Sequence, residues 1–160
     1  MRFLLFTAAL LGTLTLGAQT PCENGFAAGY PCDLVDLMGF VPSSNLGGGD
    51  AEDLWGWTDP LDGSEYAIVG MAGTTAFVDI SAPTSPVVVG LLPSHTGSSL
   101  WRDVKVYNNH AYIVSEATGH GLQVFDLTRL RNVPNPPITF TEDGHYAGFG
   151  NAHNIAINEE

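Results

Sequence analysis

The 160-residue chain is poor in cations: five Lys and Arg stand against 17 Asp and Glu, for a net charge of −12 at pH 7 with the histidines neutral. Such an acidic surface repels phosphate backbones and anionic lipid, which excludes nucleic acid and anionic membranes as partners. Cysteine is scarce, with two in the chain, and no His or third Cys stands near them to complete a zinc set. Hydrophobic runs are short: "FLLFTAALLGTLTL" falls below the roughly 20 apolar residues that a membrane-spanning helix needs. G-x-S-x-G, H-E-x-x-H and P-loop motifs are absent, which removes the common signatures of serine hydrolases, zinc proteases and nucleotide-binding enzymes.

What is present begins with a leader. Met1 and Arg2 open a positive start, the apolar run follows, and "GAQT" offers a small-residue cleavage site after Ala18 or Gly17. Residues 1–18 are therefore expected to be a signal peptide, which makes the protein secreted or cell-surface. In an oxidising compartment Cys22 and Cys32, closing "CENGFAAGYPC", read as a disulfide. A loop of that size contributes up to roughly 3 kcal/mol by restricting the unfolded chain. Residues 19–50 form an N-terminal segment: "DLVDLMGFVP" has the apolar spacing of one or two helical turns, and "SSNLGGGD" is a flexible linker.

From residue 51 to 160 short β-rich runs alternate with Gly, Pro, Asp and Asn turns, and the chain repeats itself. Trp55 and Trp101 open similar stretches, "EYAIVG" aligns with "HAYIVS" (Glu65 with His110), and "FVDIS" aligns with "VFDLT" (Asp79 with Asp126). "PVVVGLL" supplies a fourth strand to the first unit and "PPITFT" to the second, while "AHNIAIN" matches "WRDVKVY" as the start of a third. Four short antiparallel strands per unit make a propeller blade, and a sheet with two apolar faces needs neighbours to cover both. The fold expected is all-β: a partial β-propeller of two four-stranded blades plus the start of a third, truncated at the C-terminus. Asp79 and Asp126, followed by Ser81 and Thr128, close turns with local hydrogen bonds, a structural role.

"PCENGFAAGYPC", "DLWGWTDPLDGSEYAIVG", "FVDISAPTSPVVVGLL", "WRDVKVYNNHAYIVSEATGHGLQVFDLTRL" and "AHNIAINEE" together resemble the choice-of-anchor B family, exported bacterial and archaeal proteins related to the LVIVD-repeat β-propellers. The resemblance covers nearly all of the chain from Cys22. It implies a secreted or surface-displayed propeller whose anchor lies further toward the C-terminus, and it implies no particular reaction.

Chemistry is expected where the innermost strands line the central channel, around Trp57-Thr58, Arg102-Asp103 and His153-Asn154. His120, in the turn "TGHG", is a further candidate. His153, Asp103 and His120 suit metal or acid–base roles with a divalent cation as the cofactor, and Arg102 suits an anion clamp. The same residues suit a second role, with Arg102 and Asp103 bracing neighbouring blades and His153 and Asn154 satisfying buried backbone groups. "DPLDGSE" carries three acids around a Gly turn but lacks the order of a calcium loop, so a hairpin turn is expected. The chain is read as a binding module for an extracellular protein or glycan rather than as an enzyme. The alternative is a propeller hydrolase or lyase with a metal at the channel mouth.

Secretion from a bacterial host should release a mature chain beginning at Gln19 or Ala18 with Cys22 and Cys32 joined. Intact mass before and after reduction and alkylation checks both, and two alkylatable thiols in the unreduced product would refute the disulfide.

Overall fold

The computed structural model describes residues 19–158. The expected signal peptide lies outside the described residues. The chain divides after Met38 into a small N-terminal unit and a larger one.

In the small unit β1 (Phe26–Ala27) and β2 (Tyr30–Pro31) pair antiparallel, Phe26 opposite Pro31. Ala28 and Gly29 turn between them with φ of 49° and 86°, the left-handed region that Gly enters without steric cost. The Cys22–Cys32 disulfide closes around this hairpin with a Cα–Cα distance of 5.9 Å. Thr20 and Leu37 exchange backbone hydrogen bonds of 2.8 and 2.9 Å, and Asp36 accepts from Gln19 and from the Cys22 N–H. The helical turns expected at "DLVDLMGFVP" do not form. Leu37 is held in a β-bridge, Leu34 takes a φ of 58°, and Leu34 and Val35 stay exposed. Leu34, Val35 and Met38 keep their side chains exposed, and packing is what stabilises a short helix.

The larger unit opens with a 3₁₀ turn at Ser43–Leu46. The expected linker is thus partly ordered: Leu46 is buried with Met71, Ala76 and Val78, and Thr74 Oγ1 donates to the Leu46 carbonyl. Two sheets follow. β3 (Ala51–Thr58), β4 (Glu65–Met71), β5 (Thr74–Asp79) and β6 (Val87–Pro93) form an antiparallel meander. β7 (Arg102–Tyr107), β8 (His110–Ser115) and β9 (Leu122–Asp126) begin a second one. Their side chains alternate between faces, as strands require. Tyr66, Ile68 and Phe77 of the first sheet therefore share a core with Val104, Ala111, Ile113 and Phe125 of the second. Phe77 stacks on Phe125 at 4.5 Å between ring centroids.

The fourth strand of the second sheet departs from expectation. "PPITFT" supplies β10 (Ile138–Thr139), which pairs in parallel with β6 and so becomes a fifth strand of the first sheet. The strand that pairs with β9 is β11 (Gly144–Tyr146). The cause is Phe140, which is buried edge-on against both Phe77 and Phe125 and pulls the preceding residues onto the edge of β6. Gly90 permits the approach, because a Cβ there would run into the Phe140 ring and the Ile138 carbonyl. Arg129 closes over the cluster, 4.9 Å from the Phe125 ring and paired with Asp143 at 2.8 Å.

The register also corrects the sequence alignment. Tyr66 pairs with Asp79 and His110 with Asp126, so with Asp79 and Asp126 as matching positions, His110 corresponds to Tyr66 and not to Glu65. On the first strands Asp53 faces Gly70 and Asp103 faces Val114, which matches Asp53 to Asp103 and Trp55 to Lys105. A slip of one residue exchanges the two faces of a strand, and only the corrected register points equivalent side chains of the two sheets the same way. Asp79 and Asp126 do close turns, accepting from the N–H of Ser81 and of Thr128 at 2.9 Å each. The "DPLDGSE" turn is a hairpin whose Asp59 takes a two-pronged bond from Arg131 at 2.6 and 2.7 Å, tying the β3–β4 turn to the second sheet.

Replacing Gly90 by Ala should displace Phe140 and β10. A loss of about 1–3 kcal/mol in chemical denaturation is expected, the range for an overpacked core. Gly97→Ala, where an added Cβ meets nothing within 4 Å, should change stability by about 0.5 kcal/mol or less.

Candidate functional site

The first strands of the two sheets and the segment 152–158 converge on a cleft of about 300 Å³ lined by Glu52, Asp53, Arg102, Asp103, Lys105, His153, Asn154 and Ile155. Of the residues expected at the channel, Arg102, Asp103, His153 and Asn154 are there. Trp57 is buried instead, its indole N–H donating to Asn109 Oδ1 at 3.1 Å. His120 lies elsewhere, fully buried between the sheets. The segment 152–158 forms no strand.

The carboxylates of the cleft are spoken for by backbone. Asp53 Oδ2 accepts from the Val104 N–H at 3.0 Å, and Asp103 Oδ2 accepts from the Ile155 N–H at 2.8 Å. The bond thus recurs from each first strand to the next segment, and "EDL", "RDV" and "HNI" are its successive sequence positions. Lys105 Nζ bridges the two acids, 3.4 Å from Asp53 and in contact with Asp103 Oδ1. Asn154 donates its side-chain amide to Asp103 at 3.3 Å. Burial alone would raise the Asp103 carboxyl. The Lys105 ammonium beside it, with the Ile155 N–H and Asn154, outweighs that and holds it at about 2. Asp103 is an anion at any physiological pH, and its role is that of a brace.

The rim is less committed. His153 is half exposed, and its Nδ1 meets Glu116 Oε1 at 2.8 Å, leaving Nε2 as the nitrogen that can serve a ligand. Trp101, 44% exposed, lies 5.0 Å from the His153 ring. Trp55, 42% exposed, carries Lys105 Nζ 4.5 Å above its ring. Sequence reasoning missed Lys105, Glu52 and Asp53. The repeated acid of "EDL" and "RDV" would have revealed Asp53 had the alignment been anchored there and not on the tryptophans.

The three candidate metal ligands do not assemble. Asp103 is bound to Lys105 and backbone, His153 to Glu116, and His120 to a different network. Among the described residues no group of three or more His, Cys, Asp or Glu is gathered to hold a metal ion.

That second network is centred on Arg102, which borders the cleft and whose guanidinium is bonded between the sheets. Arg102 Nε donates to the Met71 carbonyl at 2.9 Å and Nη2 to Ser94 Oγ at 2.8 Å, and Nη1 lies 3.1 Å from His120 Nε2. His120 Nδ1 faces the Gly121 carbonyl at 3.1 Å, and Gln123 links His120 to Glu142. Burial pushes the His120 imidazole below its ordinary range, reinforced by the Arg102 charge, and the bonds to Gly121 and Gln123 offset this only in part. The depressed pKa favours the neutral ring at pH 7, with Nδ1–H donating to Gly121 and Nε2 lying against both Arg102 Nη1 and the Gln123 amide oxygen.

The repeated sheets define a β-rich repeat protein. The LVIVD repeat family model matches the chain at residues 63–92 and 101–127, the stretches that carry β4–β6 and β7–β9. These two matches support the repeat family. No curated protein and no solved structure matches the chain. Among the described residues no helix is long and apolar enough to cross a membrane.

The His120 imidazole gives stability a pH window with a definite sign. Its folded pKa is depressed, so the unfolded chain takes up the proton first, near 6.5. Stability should be full above that pH and fall as pH drops below it, before carboxylates titrate. Thermal melts between pH 7.5 and 5 should show this decline, and His120→Gln should flatten it. An equal decline in that variant would show that another group carries the dependence.

Proposed function

We propose that this chain is an exported or cell-surface β-propeller protein of the choice-of-anchor B type, its two sheets being adjacent blades, and that it acts as a binding module. The observation that carries the reading is the cleft rim. Trp55 and Trp101 are left nearly half exposed beside a polar cleft, although the same chain buries Trp57 completely enough to use it as core. Large aromatic rings with one face free, next to a few fixed polar groups, are the usual composition of recognition surfaces. The Cys22–Cys32 disulfide supports an oxidising compartment. The ligand is an extracellular protein or glycan that places a ring or apolar edge on the tryptophans and polar groups on His153 and Glu52.

The reading is tested by titrating the purified chain with soluble glycans and peptides while following tryptophan fluorescence. Ligands should quench or shift the emission, and Trp101→Ala should weaken binding about tenfold or more, the scale of an aromatic hot spot, with little change in melting temperature. Binding that survives both Trp55→Ala and Trp101→Ala would place recognition on another surface.

A further inference from the structure

Arg102 is a buried cation without a counter-anion. Its side chain is 1% exposed, and none of the ion pairs among the described residues includes it. Its three bonded neighbours, the Met71 carbonyl, Ser94 Oγ and His120 Nε2, are all neutral. The acid closest in the hydrogen-bonded network, Glu142, is separated from it by His120 and Gln123. Asp103, next in sequence, points to the opposite face and is taken by Lys105 and backbone. A charge withdrawn from water costs several kcal/mol unless an opposite charge accompanies it. A guanidinium carries five donors, and the bonds above use one on each nitrogen, leaving an N–H on Nη1 and another on Nη2.

A second observation points to the same place. Thr75 Oγ1 is the one buried side-chain oxygen or nitrogen among the described residues with no hydrogen-bond partner. Thr75 is 1% exposed and stands opposite Gly70 in the β4–β5 ladder, so its side chain is on the face of the first sheet that Arg102 covers. Arg102 lies directly on Gly70, where an added Cβ would be 3.4 Å from its Cγ and Cδ. Buried hydroxyls are almost always paired, and here the unpaired one stands opposite the glycine over which the uncompensated cation's stem lies.

We propose that Arg102 and Thr75, with Ser94 beside them, bind a small monovalent anion of the chloride class between the two sheets. The spare guanidinium N–H groups and the Thr75 hydroxyl all donate, which selects an acceptor with negative charge. One guanidinium neutralises one charge, which disfavours divalent sulfate. A water molecule could satisfy Thr75 but would leave the cation uncompensated. The site joins the start of β5 and the start of β7, so its occupancy stabilises the packing of one sheet on the other. It requires no ligand bound in the cleft, which Arg102 also borders.

The test is thermal melting of the whole chain in sodium chloride, bromide and gluconate at constant ionic strength. Chloride and bromide should raise the melting temperature saturably, by about 3–6 °C at ten times the dissociation constant, relative to gluconate. General exclusion from the protein surface would favour the large, strongly hydrated gluconate and so give the opposite sign. Thr75→Val, nearly isosteric and lacking the donor, should weaken the halide response while leaving the gluconate melt equal or higher, since an unpaired buried hydroxyl is removed. Bromide-soaked crystals should show an anomalous peak within hydrogen-bonding reach of the Arg102 Nη atoms. Equal melts in all three salts, an undiminished halide response in Thr75→Val, or an anomalous peak only elsewhere would each overturn the proposal.

Discussion

The constraint on which the larger unit depends is that neither sheet can bury its apolar face alone. Phe77 and Phe125, stacked at 4.5 Å, belong to different sheets, and each would stand in water without the other. Burying two such rings is worth several kcal/mol in apolar area. The other inter-sheet features are arranged around that stack. Phe140 seals its edge, Arg129 covers Phe125 and Phe140, and the Arg131–Asp59 pair ties the rim. The polar groups lie at the margin of this apolar plate. The carboxylates of Asp53 and Asp103 sit on the strands that open each sheet, and the Arg102 network sits between β4 and β7.

This arrangement explains why the chemistry expected at one place is divided between two. Alternation along β7 puts Arg102 and Val104 on the face packed against the first sheet and Asp103 and Lys105 on the other, from which the long Lys105 side chain reaches back to Asp53 and Trp55. Two neighbours in sequence thus serve different environments: Arg102 enters a dry interface, while Asp103 meets Lys105 and the backbone of residue 155. A constellation of Arg102, Asp103 and His120 around one substrate is incompatible with that parity. What the cleft offers a ligand is its rim, where Trp55, Trp101 and His153 retain exposed surface.

The strands, the disulfide and the turn roles of Asp79 and Asp126 were legible in the sequence because each rests on local chemistry. β-branched runs form strands, a short Cys loop closes on itself, and an Asx side chain bonds two residues onward. The convergence of Asp103, His153 and Asn154 was legible because the repeat carries equivalent positions to equivalent places. Register was not, since Trp55 and Trp101 resemble each other while occupying different positions, and a face is decided by a single residue. The transfer of β10 to the first sheet was also hidden. It depends on the fit of Phe140 against Gly90, a contact between residues far apart in the chain. The small unit misled for the opposite reason: the spacing of Leu34, Val35, Leu37 and Met38 suggested a helical face, but Leu34, Val35 and Met38 are exposed and Leu37 is held in a β-bridge.

The bond that links each first strand to the next segment has a particular economy. Asp53 and Asp103 each hold the next segment by a main-chain N–H, on Val104 and Ile155. Every residue except proline carries that donor, so the receiving position is free to drift in side chain without loosening the joint. A repeat joined in this way can be lengthened, shortened or recombined with unrelated units, provided each contributes an acid and does not present proline to its predecessor. The joint behaves as a standard fitting, indifferent to what is attached, while the apolar plates beside it must be matched in shape pair by pair.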